Sequence, residues 1–137
     1  MIKRSSAFTM MEIMVVLFII GFLFAFLGPR VMKYFLRSNT QITRLKMANI
    51  KDNLIEYQQD MGHFPNKKEG GLGALLICPQ GAEGKWQGYL KDEDDLMDKW
   101  NDEFEFNMPP VKYKGKYKIF EIISSGGEEG NEIVDGA

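Results

Sequence analysis

Apolar side chains fill the chain almost without interruption from residue 7 to residue 27, and the acidic Glu12 lies among them. A run of about 20 apolar residues is long enough to cross the hydrocarbon core of a bilayer as a helix. A carboxylate inside such a run costs roughly 3 kcal/mol or more in a membrane, so it usually has a partner and a function. The pattern predicts a transmembrane helix over residues 8–28, with Glu12 as its functional residue.

Beyond Gly28 and Pro29 the pattern becomes amphipathic, because apolar residues now recur mostly at spacings of three and four, as on one face of a helix. The members of this stripe are Ile42, Leu45, Met47, Ile50, Leu54, Tyr57 and Met61. Pro29 lacks an amide donor and its ring crowds the preceding turn, so it should bend or loosen the helix. The sequence predicts one long helix over residues 8–61, amphipathic over 29–61 and ended by Gly62.

The C-terminal third has the pattern of short strands. Residues 103–107 alternate apolar and polar side chains, and residues 117–124 are rich in isoleucine. Turns are predicted at residues 108–110 and 114–116, where proline and glycine occur. A small antiparallel sheet packed on the helix stripe would bury Trp86 and Trp100. The predicted fold class is therefore α+β, with a globular head over residues 62–137.

Composition excludes several kinds of function. The 17 basic and 19 acidic residues nearly balance, which gives no basic excess for nucleic acid. Cys78 is the only cysteine, so we expect no intrachain disulfide and no zinc site, and its default role is a small buried residue. His63, without a second histidine or cysteine, is expected to be a turn or packing residue. The acidic run at residues 92–95 is interpreted as a solvated loop. We predict that the protein is not an enzyme.

The N-terminal motif adds a resemblance to a known family. Residues 3–17 read KRSSAFTMMEIMVVL, which resembles the class III signal of type IV pilins and pseudopilins. The resemblance implies that a prepilin peptidase and methyltransferase removes residues 1–7, cuts between Ala7 and Phe8, and N-methylates Phe8. Family members usually carry glycine before the cut, and Ala7 is also small. The resemblance implies roles in assembly for Glu12 and the nearby Thr9.

Type IV pilins and pseudopilins assemble into filaments, and there the acidic Glu12 would have an electrostatic function. A free N-terminal amine in a dry core is as costly as a lone carboxylate, and Glu12 can neutralise the amine of its own or a neighbouring chain. The alternative is that Glu12 reaches the membrane interface with its side chain. An ordinary signal anchor or secretory signal does not explain Glu12, and a secretory signal carries its cleavage residues after the apolar core.

Basic residues give conflicting indications of membrane orientation. Lys3 and Arg4 favour a cytoplasmic N-terminus. Five basic residues after the span favour the reverse by their number: Arg30, Lys33, Arg37, Arg44 and Lys46. The family resemblance implies a cytoplasmic leader, a single pass through the bacterial inner membrane and a periplasmic head, with the later basic residues on a filament surface.

Motifs in the head resemble those of one group within this family. Residues 57–65 read YQQDMGHFP and residues 70–75 read GGLGAL, similar to Tyr-x-x-Asp-x-Gly-x-Tyr-Pro and Gly-Leu-x-x-Leu of the major pseudopilin of type II secretion systems. Residues 86–91 and 98–102 resemble its Trp-x-Gly-Tyr-x-Lys and Asp-Pro-Trp-Gly segments. Phe64, Lys99 and Asn101 replace the usual Tyr, Pro and Gly. Asparagine tolerates positive φ, so the turn at Asn101 should survive.

The C-terminal loop resembles a calcium site. Residues 124–135 read SSGGEEGNEIVD, and the corresponding pseudopilin loop binds calcium through carboxylates and backbone carbonyls. The resemblance implies Glu128, Asn131 and Glu132 as ligands, and oxygen ligands on a flexible loop suit this ion. Glutamate is longer than the usual aspartate, Asn131 is neutral and the loop is short. The alternative is a disordered acidic tail. Apart from calcium, we expect no cofactor.

The resemblance implies a structural subunit of the type II secretion pseudopilus, which polymerises through its N-terminal helix and helps to drive protein export through the outer membrane. The implied partners are other copies of itself, the prepilin peptidase, minor pseudopilins, and the inner-membrane assembly platform with its ATPase. One alternative is a pilin of a type IV pilus or DNA-uptake filament, many of which need a second cysteine for a C-terminal disulfide loop. Another is a membrane-anchored periplasmic binding module.

Overall fold

The computed structural model describes residues 7–127 and 132–137. Within them the elements follow the order helix, loops, sheet, and the predicted α+β class is confirmed. The elements are helix α1 (Met10–Met61), three short 3-10 helices (Lys67–Glu69, Gly71–Leu75 and Glu93–Leu96), and strands β1 (Glu105–Asn107), β2 (Glu121–Ser124) and β3 (Ile133–Gly136). The chain divides into two compact units, one ending at Arg37 and the other beginning at Ser38.

The first unit carries the apolar part of α1, and its side chains are exposed. Every large apolar side chain from Phe8 to Leu36 is at least 43% exposed. No residue in the most apolar stretch of α1 is buried, and by length and composition the helix is apolar enough to cross a membrane. Helix α1 is continuous through Pro29. An apolar surface of this extent needs an apolar environment outside the chain.

The second unit begins with the buried stripe of α1, which agrees with the predicted stripe from Met47 to Tyr57 and differs from it only at its start. Its buried residues are Asn39, Thr43, Met47, Ile50, Leu54 and Tyr57. The prediction for Leu45 is wrong, since this side chain is 70% exposed. Leu45 precedes Met47 by two residues, or about 200° around the helix, and so faces away from the core. The polar Asn39 and Thr43 occupy the buried positions instead.

Helix α1 ends as predicted. Gly62 has a φ of 82°, a left-handed conformation that glycine adopts without a Cβ penalty, and its amide donates to the carbonyl of Gln58 at 2.8 Å. The His63 and Phe64 that follow lie outside the helix. Gly62 therefore stops the helix and turns the chain into the head.

The three strands form an antiparallel sheet in the order β1-β2-β3. Residue Ile122 of the central strand pairs with Phe106 on one side and with Asp135 on the other. The second predicted strand, over residues 117–124, is shorter than expected. The amides of Lys118, Ile119 and Phe120 all donate to the carbonyl of Ala137 rather than to a ladder. Pairing along β2 therefore begins only at Glu121.

Strand β3 overturns the expectation of a disordered acidic tail for residues 133–136. Ile133 is buried and pairs with Ser124, and Val134 pairs with Ile123. Four residues in an acidic, glycine-rich stretch give too weak a strand pattern to be recognised in the sequence alone. Pairing with β2 makes them a strand.

The core of the head joins the helix stripe, the glycine-rich loop and the sheet. Its buried members are Met47, Ile50, Leu54, Tyr57, Leu72, Ala74, Leu75, Leu90, Phe104, Phe120, Ile122 and Ile133. Trp86 and Trp100 pack against this cluster half-buried, and the indole Nε1 of Trp86 donates to the carbonyl of Ala74 at 2.8 Å. The predicted burial of both tryptophans is thus confirmed in part.

Gly136 in β3 lies where no side chain fits. A Cβ atom there would collide with the carbonyl oxygen of Phe120 and come within 2.8 Å of the Tyr117 ring. We expect Gly136→Ala to lower the free energy of unfolding by roughly 1–3 kcal/mol, because overpacking forces the backbone to shift. Urea unfolding followed by tryptophan fluorescence measures this loss. Gly84→Ala is the matched control, since nothing lies within 4 Å of its added Cβ, and equal effects of the two variants would contradict the prediction.

Candidate functional site

The predicted cleavage point lies in accessible, non-helical backbone. Ala7 and Phe8 precede the first helical residue, Met10, and both are exposed, Phe8 to 75%. A peptidase needs such backbone to be open to its own hydrogen-bonding groups. The basic leader residues Lys3 and Arg4 lie outside the described residues.

Thr9 and Glu12 form the N-terminal cap of α1. The Thr9 hydroxyl oxygen accepts a hydrogen bond from the Glu12 amide at 3.2 Å, and the Thr9 carbonyl accepts from the amides of Glu12 and Ile13. The spacing Thr-x-x-Glu is that of a capping box, so this cap is visible in the sequence. The Glu12 carboxylate therefore belongs to the first turn, where the helix dipole stabilises a negative charge by about 0.3–1 kcal/mol.

In the head, a buried carboxylate organises the loop before β2. Glu121 is fully buried, and its oxygens accept hydrogen bonds from the amides of Val111, Lys112 and Tyr113 at 2.8–2.9 Å and from Asn107 Nδ2 at 3.0 Å. Burial acts to raise the pKa of Glu121, but these four hydrogen bonds outweigh it and lower the pKa to about 2. Nothing in the local sequence around Glu121 marks it as a buried residue, so it could not be predicted from the sequence.

The loop held by Glu121 presents two side chains to Glu132. Lys112 Nζ lies 3.3 Å from Glu132 Oε1 and 3.4 Å from Glu105 Oε2, and the Tyr113 hydroxyl donates to Glu132 Oε2 at 2.9 Å. The hydrogen bonds from Tyr113 and Lys112 lower the pKa of Glu132. Both oxygens of this carboxylate thus already have donors, one of them a cation.

These contacts bear on the predicted calcium site. Of its three predicted ligands, Glu128 and Asn131 lie outside the described residues and Glu132 is joined to Lys112. Among the residues that the structure describes, no three His, Cys, Asp or Glu side chains cluster as a metal site would require. Lys112 would have to leave Glu132 before this carboxylate could bind calcium. Calcium binding stays a prediction.

If Lys112 keeps Glu132 from calcium, removal of the ion should change little. We expect the midpoint of thermal unfolding to differ by less than about 2 °C between excess EDTA and 1 mM calcium, because only an ion bound by the native state stabilises it. In contrast, Lys112→Met should lower the midpoint in both solutions. Differential scanning calorimetry measures both effects. A calcium-dependent rise of about 5 °C or more in the wild-type protein would show that the acidic loop does bind the ion.

A second carboxylate, Asp98, fixes the turn before β1. Asp98 is 2% exposed, and its carboxylate accepts from the amides of Trp100 and Asp102 and from the Ser124 hydroxyl at 2.6 Å. Asn101 has a φ of 63°, so the prediction that asparagine preserves this turn is confirmed. Through Ser124 the turn is joined to the end of β2. The Asp98 carboxylate therefore stabilises the fold of the head.

Three other residues singled out in the sequence lie in turns and loops of the head. His63 Nδ1 lies 3.0 Å from the Phe64 carbonyl oxygen, in the turn after α1, as predicted. Cys78 has a free thiol and is only half-buried, so its predicted burial is wrong in degree. Asp94, expected in a solvated loop, belongs to the 3-10 helix Glu93–Leu96 and pairs with Lys46 at 2.8 Å. That pair lowers the pKa of Asp94 through the Lys46 hydrogen bond and charge.

Comparison with known proteins gives consistent matches. Residues 30–136 match the family described as Type II secretion system (T2SS), protein G. The type II secretion system core protein G of Pseudomonas aeruginosa is 29% identical over 134 residues, which cover 95% of this chain and 91% of the relative. The core protein G of Escherichia coli is 27% identical over 135 residues, covering 94% and 88%. That of Xanthomonas campestris is 26% identical over 147 residues, covering 98% and 96%.

Proposed function

Because the chain belongs to the type II secretion system protein G family, we propose that it polymerises through the apolar part of α1 into a periplasmic filament. The chain is a pseudopilin, a structural subunit of the type II secretion system, and is not an enzyme. The alternatives of a type IV pilin and of an anchored binding module are not favoured. The apolar surface of α1, left exposed by its own chain, is the observation that supports polymerisation.

We further propose four functional segments. Residues 1–7 are a leader that is removed after Ala7, and residues 8–28 are the transmembrane and filament-core helix. Residues 29–61 are the amphipathic helix, and residues 62–137 are the periplasmic head. The orientation has the N-terminus in the cytoplasm, in a single pass through the bacterial inner membrane. The length and apolar composition of α1 support the proposal of a membrane anchor.

Processing would give Glu12 its partner. After a cut at the exposed bond between Ala7 and Phe8, the new amine stands only four residues before Glu12. Both groups then lie at the start of α1, inside the filament, where an unpaired charge is strongly unfavourable. Glu12 can pair with the amine of its own chain or of a neighbour, and Thr9 holds the first turn that carries it. The pair would also set the register between packed helices.

The proposed partners follow from this assembly. They are further copies of the chain, the prepilin peptidase and methyltransferase, minor pseudopilins, and an inner-membrane platform with its ATPase. The filament is proposed to help drive protein export through the outer membrane. The names of the relatives support a secretion system with several components.

Intact-mass and N-terminal peptide mass spectrometry tests the proposal. The full chain is produced in cells that contain a prepilin peptidase, and its terminus is compared with that from cells that lack the enzyme. We expect an N-methylated Phe8 only in the first case, and filaments only from the processed chain. A terminus at Met1 in both cases, or a cut after the apolar run, would contradict processing between Ala7 and Phe8.

A further inference from the structure

Four side chains directly beyond the apolar run share one face of α1. Arg30, Lys33, Tyr34 and Arg37 follow one another at helical spacing, and they line a shallow cavity of about 220 Å³. All four are exposed, Tyr34 to 71%. Within residues 7–127 and 132–137, no hydrogen bond or ion pair engages the side chain of Arg30, Lys33 or Arg37. We name these four residues the basic collar.

The basic collar lies at a defined depth relative to the apolar run. A helix rises about 1.5 Å per residue, so Arg30 lies about 4.5 Å beyond Leu27, and Tyr34 lies about 10 Å beyond it. The headgroup layer on each side of a bilayer is roughly 5–8 Å thick. With the apolar run in the hydrocarbon core, the collar therefore begins at the depth of the lipid phosphates. Long basic side chains can also extend along the helix to reach them.

We propose that the basic collar binds the phosphate groups of anionic phospholipids in the leaflet on the side of the head. The proposal rests on the proposed membrane anchor and adds a ligand to it. Guanidinium groups bind phosphate through paired hydrogen bonds, and a tyrosine at headgroup depth keeps its ring in the apolar layer and its hydroxyl in water. Three cations on one face then favour anionic over zwitterionic lipid.

The acidic surface of a second copy is a poorer partner for the collar. The densest run of acidic residues is at residues 92–95, but much of it is engaged within its own chain. Asp94 pairs with Lys46 at 2.8 Å, and Asp95 Oδ2 accepts from the amide of Asp92 at 3.4 Å. Lipid phosphate needs no such exchange of partners. Collar–lipid contacts would hold the single subunit in the bilayer, and they would have to break as the subunit enters a filament.

Lipid retention in native mass spectrometry tests the proposal. The full chain is placed in bilayer discs of equal parts phosphatidylglycerol and phosphatidylcholine, and the lipids that remain bound to released protein are counted. Each cation near an anionic surface increases the affinity for anionic lipid by about fivefold. We therefore expect the wild type to favour phosphatidylglycerol by about tenfold or more. The triple variant Arg30→Gln, Lys33→Gln, Arg37→Gln should retain both lipids nearly equally.

A matched variant separates the collar from net charge. This variant removes the same charge from exposed positions of the head, through Lys67→Gln, Lys68→Gln and Lys85→Gln. It should leave the preference for phosphatidylglycerol as it is in the wild type. No lipid preference in the wild type, or the same preference in the collar variant, would overturn the proposal. Loss of filaments in the collar variant without any change in lipid retention would also overturn it and indicate a second copy as the partner.

Carbonate extraction of membranes from cells that produce the chain distinguishes failure of the collar from failure of the anchor. A wild-type chain that resists extraction yet shows no lipid preference would refute the collar proposal alone. A wild-type chain that is released by carbonate would refute the membrane anchor itself, and the collar proposal with it.

Discussion

Replacement of Glu12 by alanine should abolish filament assembly and leave the head folded. An N-terminal amine without its carboxylate inside the filament costs about 3–5 kcal/mol, which corresponds to a loss of at least about 100-fold in the assembled fraction. The head should be unaffected, because its core is formed by residues from Met47 onward. Shear fractionation and electron microscopy measure the filaments, and tryptophan fluorescence measures the head.

Two further variants separate the charge of Glu12 from its place in the helix cap. Thr9→Ala removes the hydroxyl that accepts from the Glu12 amide and should cost only about 1 kcal/mol of helix stability, so filaments persist. Glu12→Gln keeps a polar group of the same size and should lose filaments as completely as Glu12→Ala. Glu56→Ala, at an exposed position of α1, is the control for loss of a carboxylate. Normal assembly of Glu12→Gln would contradict the charge-pair role.

Replacement of Glu121 by glutamine should be the most damaging change in the head. The amide nitrogen would add a fifth donor to the four that now share one buried carboxylate, and it would remove one of the acceptor oxygens. The difference between the ordinary pKa of 4.5 and the pKa of about 2 in the folded head corresponds to about 3 kcal/mol. We expect urea unfolding at pH 7, followed by tryptophan fluorescence, to show a loss of this size.

The dependence on pH provides an independent check. Because the pKa of Glu121 is lowered in the folded state, its contribution is complete above about 4.5 and is lost as pH falls toward about 2. Wild type and Glu121→Gln should therefore differ by about 3 kcal/mol at pH 7 and much less near pH 2. Glu103→Gln, at an exposed position, is the control and should follow the wild type. A difference that does not change with pH would mean that the loss comes from packing rather than from the charge.

Much of the first half of the chain follows from local pattern. The apolar run, the break in pattern at Gly28, the amphipathic stripe and the terminating Gly62 predicted the helix to within two residues of its observed start and to its observed end at Met61. These features are visible because helical periodicity and glycine stop signals act between residues close in sequence. Leu45 was misplaced because two apolar residues so close together cannot share one helix face, and only the core decides which one faces it.

The sequence alone determined that this chain has an apolar helix with a carboxylate near its start, a small α+β head and the motifs of a pseudopilin. Only the tertiary structure decided which carboxylates serve the fold. Glu121 and Glu132 look alike in the sequence, but one is buried among amides and the other is joined to Lys112 and Tyr113. The physical reason is that the partners of a carboxylate are brought to it by folding from distant positions, so its charge, pKa and role depend on contacts that no local pattern encodes.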